Sequence, residues 1–150
     1  MKLLNTRFWL LATGTLFTLW PTFLAVSGEA VSGAAAYWPE TTLTEKEAEI
    51  AAVVELAWIF HILAIGLVVL AIALLTNTEQ VRARLGTVAM LAFGLSQGLS
   101  VGTAAQFGYG GATASGPIAV LIAVLMFGLP TITLIACIAA RWTSKTVKHD

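Results

Sequence analysis

An all-α integral membrane protein, a single up-down bundle of four transmembrane helices spanning residues 1–150, is the fold that the sequence predicts. Three observations carry this expectation. The chain is 58% hydrophobic and only 11% charged, whereas soluble domains run nearer half apolar and a quarter charged. Its apolar residues gather into four stretches, each long enough to cross a hydrocarbon core as a helix, which takes about 20 residues. Seven of its eight basic residues fall on one side of the membrane that these stretches define. Lipid is the medium that can surround so much apolar surface, and a helix satisfies its own backbone there.

The first span runs over residues 8–27 and is preceded by Lys2 and Arg7. A basic start, an apolar run and the small residues Ala25-Val26-Ser27 also fit a cleaved signal peptide. A signal core is usually ~7–15 residues, however, and this run is longer, so a retained helix is expected. Residues 28–49 form the outer loop, which carries Pro39 and four of the acidic residues, Glu40, Glu45, Glu47 and Glu49, besides Glu29. Thr44 followed three residues later by Glu47 fits a capping box. The acids beside it favour the positive end of a helix dipole, so the second helix should begin ahead of its membrane span at 50–75.

Residues 76–84, with Arg82 and Arg84, read as a short link to the third span at 85–107. From Leu85 to Ala140 there is no Asp, Glu, Lys or Arg. That run is too long for one crossing, and the glycine-rich turn 108–116 divides it. The fourth span covers 117–140, and the tail carries Arg141, Lys145, Lys148 and His149. Only Lys46 lies on the opposite side from the other basic residues. The positive-inside rule places the seven, and both termini, in the cytoplasm of a plasma (inner) membrane. Trp9 and Trp142 then flank the inner ends and Tyr37, Trp38 and Tyr109 the outer ends, as an aromatic belt requires.

Within the spans, Gly94, Gly98 and Gly102 recur every four residues, and Gly86 falls in the same series. Such small-xxx-small stripes let a neighbouring backbone approach closely. They put the third helix at the centre of the bundle or at a subunit interface. Ser96 and Ser100 form a second small stripe. Pro21 and Pro130 lie inside the first and fourth spans, each removing a backbone donor and freeing a carbonyl one turn earlier.

Polar side chains at membrane depth are costly and face a bundle interior or a wet cavity. Glu55 and His61 lie inside the second span, about 9 Å apart along the axis and ~120° apart around it. Trp58 falls between them in angle. His61 shares its depth with Gln97, Ser96, Thr18, Thr131 and Thr133, so a midplane cluster is expected, with Glu55 higher, near Thr103. In one reading His61 and Gln97 make interhelical hydrogen bonds that fix packing. In the other, Glu55, His61, Gln97 and Trp58 form a polar site for a proton, cation or small solute.

The remaining residues exclude much else. Cys137 is the single cysteine, so neither an intrachain disulfide nor a thiolate cluster can form, and it should behave as a small hydrophobe. One intramembrane histidine cannot supply two axial haem ligands, and no metal-ligand spacing occurs. No cofactor and no nucleic-acid partner are expected, and no nucleophile–base–acid set points to an enzyme. The expected function is that of an accessory or interaction subunit, or a homo-oligomer, acting through helix packing in the bilayer. The alternative is a small transporter or channel using Glu55, His61 and Gln97. The charge asymmetry predicts a labelling pattern in a Cys137→Ala background. A membrane-impermeant thiol reagent should label Lys46→Cys in intact cells and Asp150→Cys only after permeabilisation; the reverse would overturn the orientation.

Overall fold

The computed structural model describes residues 5–32, 34, 42–106, 121 and 124–146, with side chains as far as 141. Among them the chain is helical without strands, and four helices are long and apolar enough to cross a membrane. They are α1 (Thr6–Ser27), α3 (Glu45–Leu75), α4 (Glu79–Gln106) and the segment Val124–Arg141, which comprises a π-helical turn (Val124–Gly128) and the first part of α5 (Leu129–Thr146). A short helix, α2 (Glu29–Ser32), follows α1. Lys2, Tyr37, Trp38, Pro39, Glu40, Tyr109, the turn 108–116, most of 117–123 and the end of the tail, with Lys148 and His149, lie outside the described residues, as do the side chains of Trp142 and Lys145.

The helix ends follow local chemistry. Asn5 caps α1 by accepting from the Phe8 amide, and Gly28 ends it in a left-handed conformation at φ 76°, which costs glycine little. Thr44 and Glu47 form the capping box the sequence predicts: the Thr44 amide donates to Glu47 Oε2 at 2.8 Å, and the Glu47 amide to Thr44 Oγ1 at 3.4 Å. Helix α3 accordingly begins at Glu45. Helix α4 begins at Glu79, six residues ahead of the expected span start. The expected link 76–84 thus shrinks to three residues between helices, with Thr78 Oγ1 accepting from the Val81 amide. Charged residues there end the apolar pattern without ending the helix.

Side-chain contacts fix the directions of neighbouring helices. Gly14 lies against Leu70 and Gly66 against Phe17, so α1 and α3 run antiparallel. The Thr13 and Thr133 hydroxyls are 2.7 Å apart, and Leu10 packs with Cys137, so α5 runs opposite to α1. Thr6 Oγ1 donates to Glu79, tying the start of α1 to the start of α4. Arg7, Arg82, Arg84 and Arg141 thereby share one end of the bundle.

The first helix holds a central place in the bundle. Helix α1 touches α3, α4 and α5, and Leu10, Thr13 and Phe17 have no exposed surface. Its contact with α3 is close because two glycines make it. A Cβ at Gly66 would lie 2.7 Å from the Phe17 carbonyl oxygen, and one at Gly14 2.9 Å from the Leu70 amide nitrogen. The Phe17 carbonyl is the one whose amide partner Pro21 removes, four residues on. The Gly66 α-hydrogen that replaces a side chain points at this oxygen, a weak C–H···O contact worth ~0.5–1 kcal/mol. In α5, Pro130 lies two residues after the end of the π turn, the kind of local adjustment by which membrane helices accommodate a proline.

The α4 glycines correct an expectation. Among the described residues only Gly86 of this series is packed, beneath the Cys137 sulfur and Leu10, whereas a Cβ at Gly94, Gly98 or Gly102 would meet none of them within 4 Å. The buried seam of α4 is Ala83, Gly86, Thr87, Met90, Phe93 and Gln97, a three-four alternation. A strict four-residue repeat rotates ~40° per step from such a seam, so by Gly98 the stripe has turned ~120° from Gly86. Among the described residues it brings no neighbour close.

Gly66→Leu should lower the stability of the detergent-solubilised protein by ~1–3 kcal/mol, since backbone rather than a mobile side chain opposes it. Gly98→Leu should leave thermal unfolding of the monomer within ~0.5 kcal/mol of the parent. Equal effects from the two would refute the assignment of the tight contact to α1 and α3.

Candidate functional site

Helices α3 and α4 meet through polar side chains and small residues. Trp58 Nε1 donates to Gln97 Oε1 at 3.0 Å, and His61 Nε2 lies 2.8 Å from Ser96 Oγ. These bonds pair residue 58 with 97 and 61 with 96, so the helices are antiparallel. Beyond the bonds, toward the Glu45 end of α3, the two helices leave a cavity of about 740 Å³, within the usual range of ligand pockets.

Glu55, Trp58 and His61 line it from α3; Ser96, Ser100 and Ala104 face them from α4. Trp58 sits in the middle because Glu55 and His61 flank it by ~60° on either side at 100° per residue. The opposite wall recedes because its residues at i, i+4 and i+8 are serine, serine and alanine. Ala34 and Leu43 from the segment between α2 and α3 reach the rim at the Glu45 end, and Ile50, Ala51 and Val54 give an apolar wall.

The electrostatics are one-sided. Among the described residues the titratable side chains on the lining are Glu47, Glu55 and His61, and no lysine or arginine joins them. Glu47 is engaged with Thr44 at the helix cap. Glu55 is only 7% exposed, yet no hydrogen bond or ion pair reaches its carboxyl from the described residues. Gln97 is 6% exposed, and its Nε2 has no partner among the described residues. Exchanging its amide nitrogen and oxygen gives no relief. The indole N–H donates only, and the exchange would set two donors against each other.

Of the residues singled out in the sequence, Glu55, Trp58 and His61 therefore share one groove. Gln97 supports its floor through Trp58 and lies behind the lining. His61 and Gln97 do not pair with each other; each finds a partner one helix away. The threonines do not join them. Thr18 Oγ1 donates to the Gly14 carbonyl at 2.8 Å and Thr131 Oγ1 to the Phe127 carbonyl at 2.7 Å, while Thr133 meets Thr13 and the carbonyls of Trp9 and Leu129. A hydroxyl in a helix readily bonds one turn back, so depth alone does not gather threonines into a site. Thr103 is exposed and away from the lining. Nothing in the sequence sets Ile50, Val54 or Leu43 apart from other apolar residues; the Ser96–Ser100–Ala104 spacing was the available signal for room between the helices.

Comparison with protein-family models, curated proteins and solved structures finds no match. A double-mutant cycle on Trp58→Phe and Gln97→Leu should return a coupling of ~0.6–1.7 kcal/mol in detergent, the span measured for interhelical hydrogen bonds in membranes. A coupling of zero would show that this bond does not hold the groove floor.

Proposed function

We propose that this chain is a multi-pass protein of the plasma (inner) membrane that binds a small solute in the groove between α3 and α4, as a carrier does, with both termini in the cytoplasm. The observation that carries the reading is the groove: three polar or aromatic side chains of one helix face the small residues of another across a pocket of ligand size. Polar groups in an apolar span tend to mark a solute or ion path; here Trp58 and His61 pair with Gln97 and Ser96 at the foot of the groove, while Glu55 lines the cavity with no hydrogen bond or ion pair from the described residues. Glu55 is the anchoring charge, Trp58 the platform and His61 with Ser96 the polar floor of the mid-span end. The cytoplasmic placement of the termini rests on the shared end of Arg7, Arg82, Arg84 and Arg141 and the positive-inside rule. Retention of the first helix rests on its central packing.

A second reading has its own observation. Gly94, Gly98 and Gly102 face open space, and this flank of α4 lies ~160° from Ser100, so a partner helix could dock there without touching the groove. In that reading the chain is an accessory subunit or homo-oligomer.

A thermal-shift screen of small metabolites on the purified protein separates the two. A saturating ligand at ~100 times its Kd stabilises by about 2.7 kcal/mol. Hits are expected whose stabilisation is lost in Ser100→Leu, which fills the groove, and reduced in Glu55→Gln, with Gly98→Leu responding like the parent. Absence of any Ser100-sensitive hit, together with a native assembly that Gly98→Leu disperses, would replace the first reading with the second.

A further inference from the structure

We infer that the groove between α3 and α4 takes an amphipathic organic cation, an amine or quaternary ammonium on an apolar body. This rests on the groove being a solute site, and it adds the chemical class of the solute.

Glu55 is the primary reason. Its side chain is more than nine-tenths buried, lines the cavity and has no hydrogen bond or ion pair from the described residues. An ionised carboxylate held away from water without a counter-charge is costly, and a bound cation offsets that cost. Among the described residues no basic side chain lines the groove, so the counter-charge comes from the ligand. Glu47 at the rim adds charge of the same sign.

Trp58 is the second reason. It sits one turn from Glu55, and its indole N–H is committed to Gln97, which holds the ring in place. Tryptophan is the strongest aromatic partner for a cation, and the attraction grows when water is excluded. The walls supply the third. Ile50, Ala51 and Val54 on one side and Val101 and Ala104 on the other suit an apolar body, and Ser100 offers a hydroxyl acceptor to an N–H. A bare metal ion fits poorly. Calcium takes six to eight oxygen ligands and magnesium near-ideal octahedral coordination, and among the described residues no three His, Cys, Asp or Glu side chains converge.

A lipid amine headgroup shares part of this chemistry. The groove, however, continues from Glu55 down to His61 and Ser96, about 9 Å further along α3 toward mid-span, where headgroups do not reach. The occupant is therefore a free solute.

The test measures binding of tetraphenylphosphonium to the full chain in phosphatidylglycerol nanodiscs by equilibrium dialysis. Triphenylphosphine oxide serves as neutral probe and tetraphenylborate as anionic probe. One cation per chain is expected to bind saturably, about tenfold or more weaker in Glu55→Gln and not at all in Ser100→Leu. The neutral probe should be indifferent to Glu55→Gln, and the anion should not bind. Retained helical circular dichroism and a monodisperse elution profile qualify each variant. Equal binding of cation and neutral probe, or a cation affinity that Glu55→Gln leaves unchanged, overturns the cation class while the groove stands. Failure of all three probes, with no Ser100-sensitive ligand of any class, removes the groove as a solute site. Loss of cation binding when half of the phosphatidylglycerol is replaced with phosphatidylethanolamine, but not when the same share is replaced with an uncharged glycolipid, identifies a lipid headgroup as the occupant and overturns the free-solute assignment; the two mixtures carry the same surface charge.

Discussion

The backbone-to-backbone approach of α1 and α3 is the constraint on which the rest of this molecule depends. Inside a bilayer the apolar side chains gain nothing by leaving lipid for protein, so helices associate through close packing and hydrogen bonds. Gly14 and Gly66 provide that packing, each meeting backbone atoms of the partner helix. Pro21 contributes from a distance, because the carbonyl it deprives of a donor is the one on which Gly66 rests. Once α1 and α3 are joined, Thr13 can reach Thr133 and Leu10 can pack on Cys137, and α5 is drawn in from the other side.

The groove is the complement of this contact. Helix α3 places its glycine face on α1; Glu55 belongs to that buried seam, ~20° around the helix from Gly66, while Trp58 and His61 turn to α4 and bond Gln97 and Ser96. There the meeting surface is made of small hydroxyl-bearing residues and one amide, so the helices are held by discrete hydrogen bonds at one level and stand apart above it. Each polar group would be costly against lipid. Gathered in one groove, they share a polar lining and leave the outward faces apolar, as the exposed Leu67, Val68, Leu91 and Leu95 illustrate. Gln97 is the exception that the packing tolerates: one end of its amide supports the indole, and the other is buried without a partner among the described residues.

Helix α4 carries two surfaces with different periods. Its buried seam alternates steps of three and four residues, as the twist of an α-helix against a neighbour requires. Its glycines repeat every four and so drift off that seam. Gly86 is within the core and Gly98 outside it, though both belong to one series in the sequence. A spacing that reads as a single packing face is thus divided by the ~40° mismatch between four residues and a whole number of turns.

The sequence by itself determined the four apolar helices, the alternation of charged ends and the capping box at Thr44 and Glu47. Each depends on composition or on residues within one turn of each other, where chemistry acts without reference to the rest of the chain. It also marked Glu55, Trp58, His61 and Gln97, because polar groups stand out in an apolar span. Only the tertiary structure decided which of several glycines would meet a neighbour. It set Gln97 beneath Trp58 and Ser96 beside His61, and it left the threonines bonded to backbone carbonyls or to each other. Those outcomes depend on the rotation of each helix about its axis, which contacts distant in sequence fix and which the nearly uniform apolar character of α3 and α4 leaves unspecified.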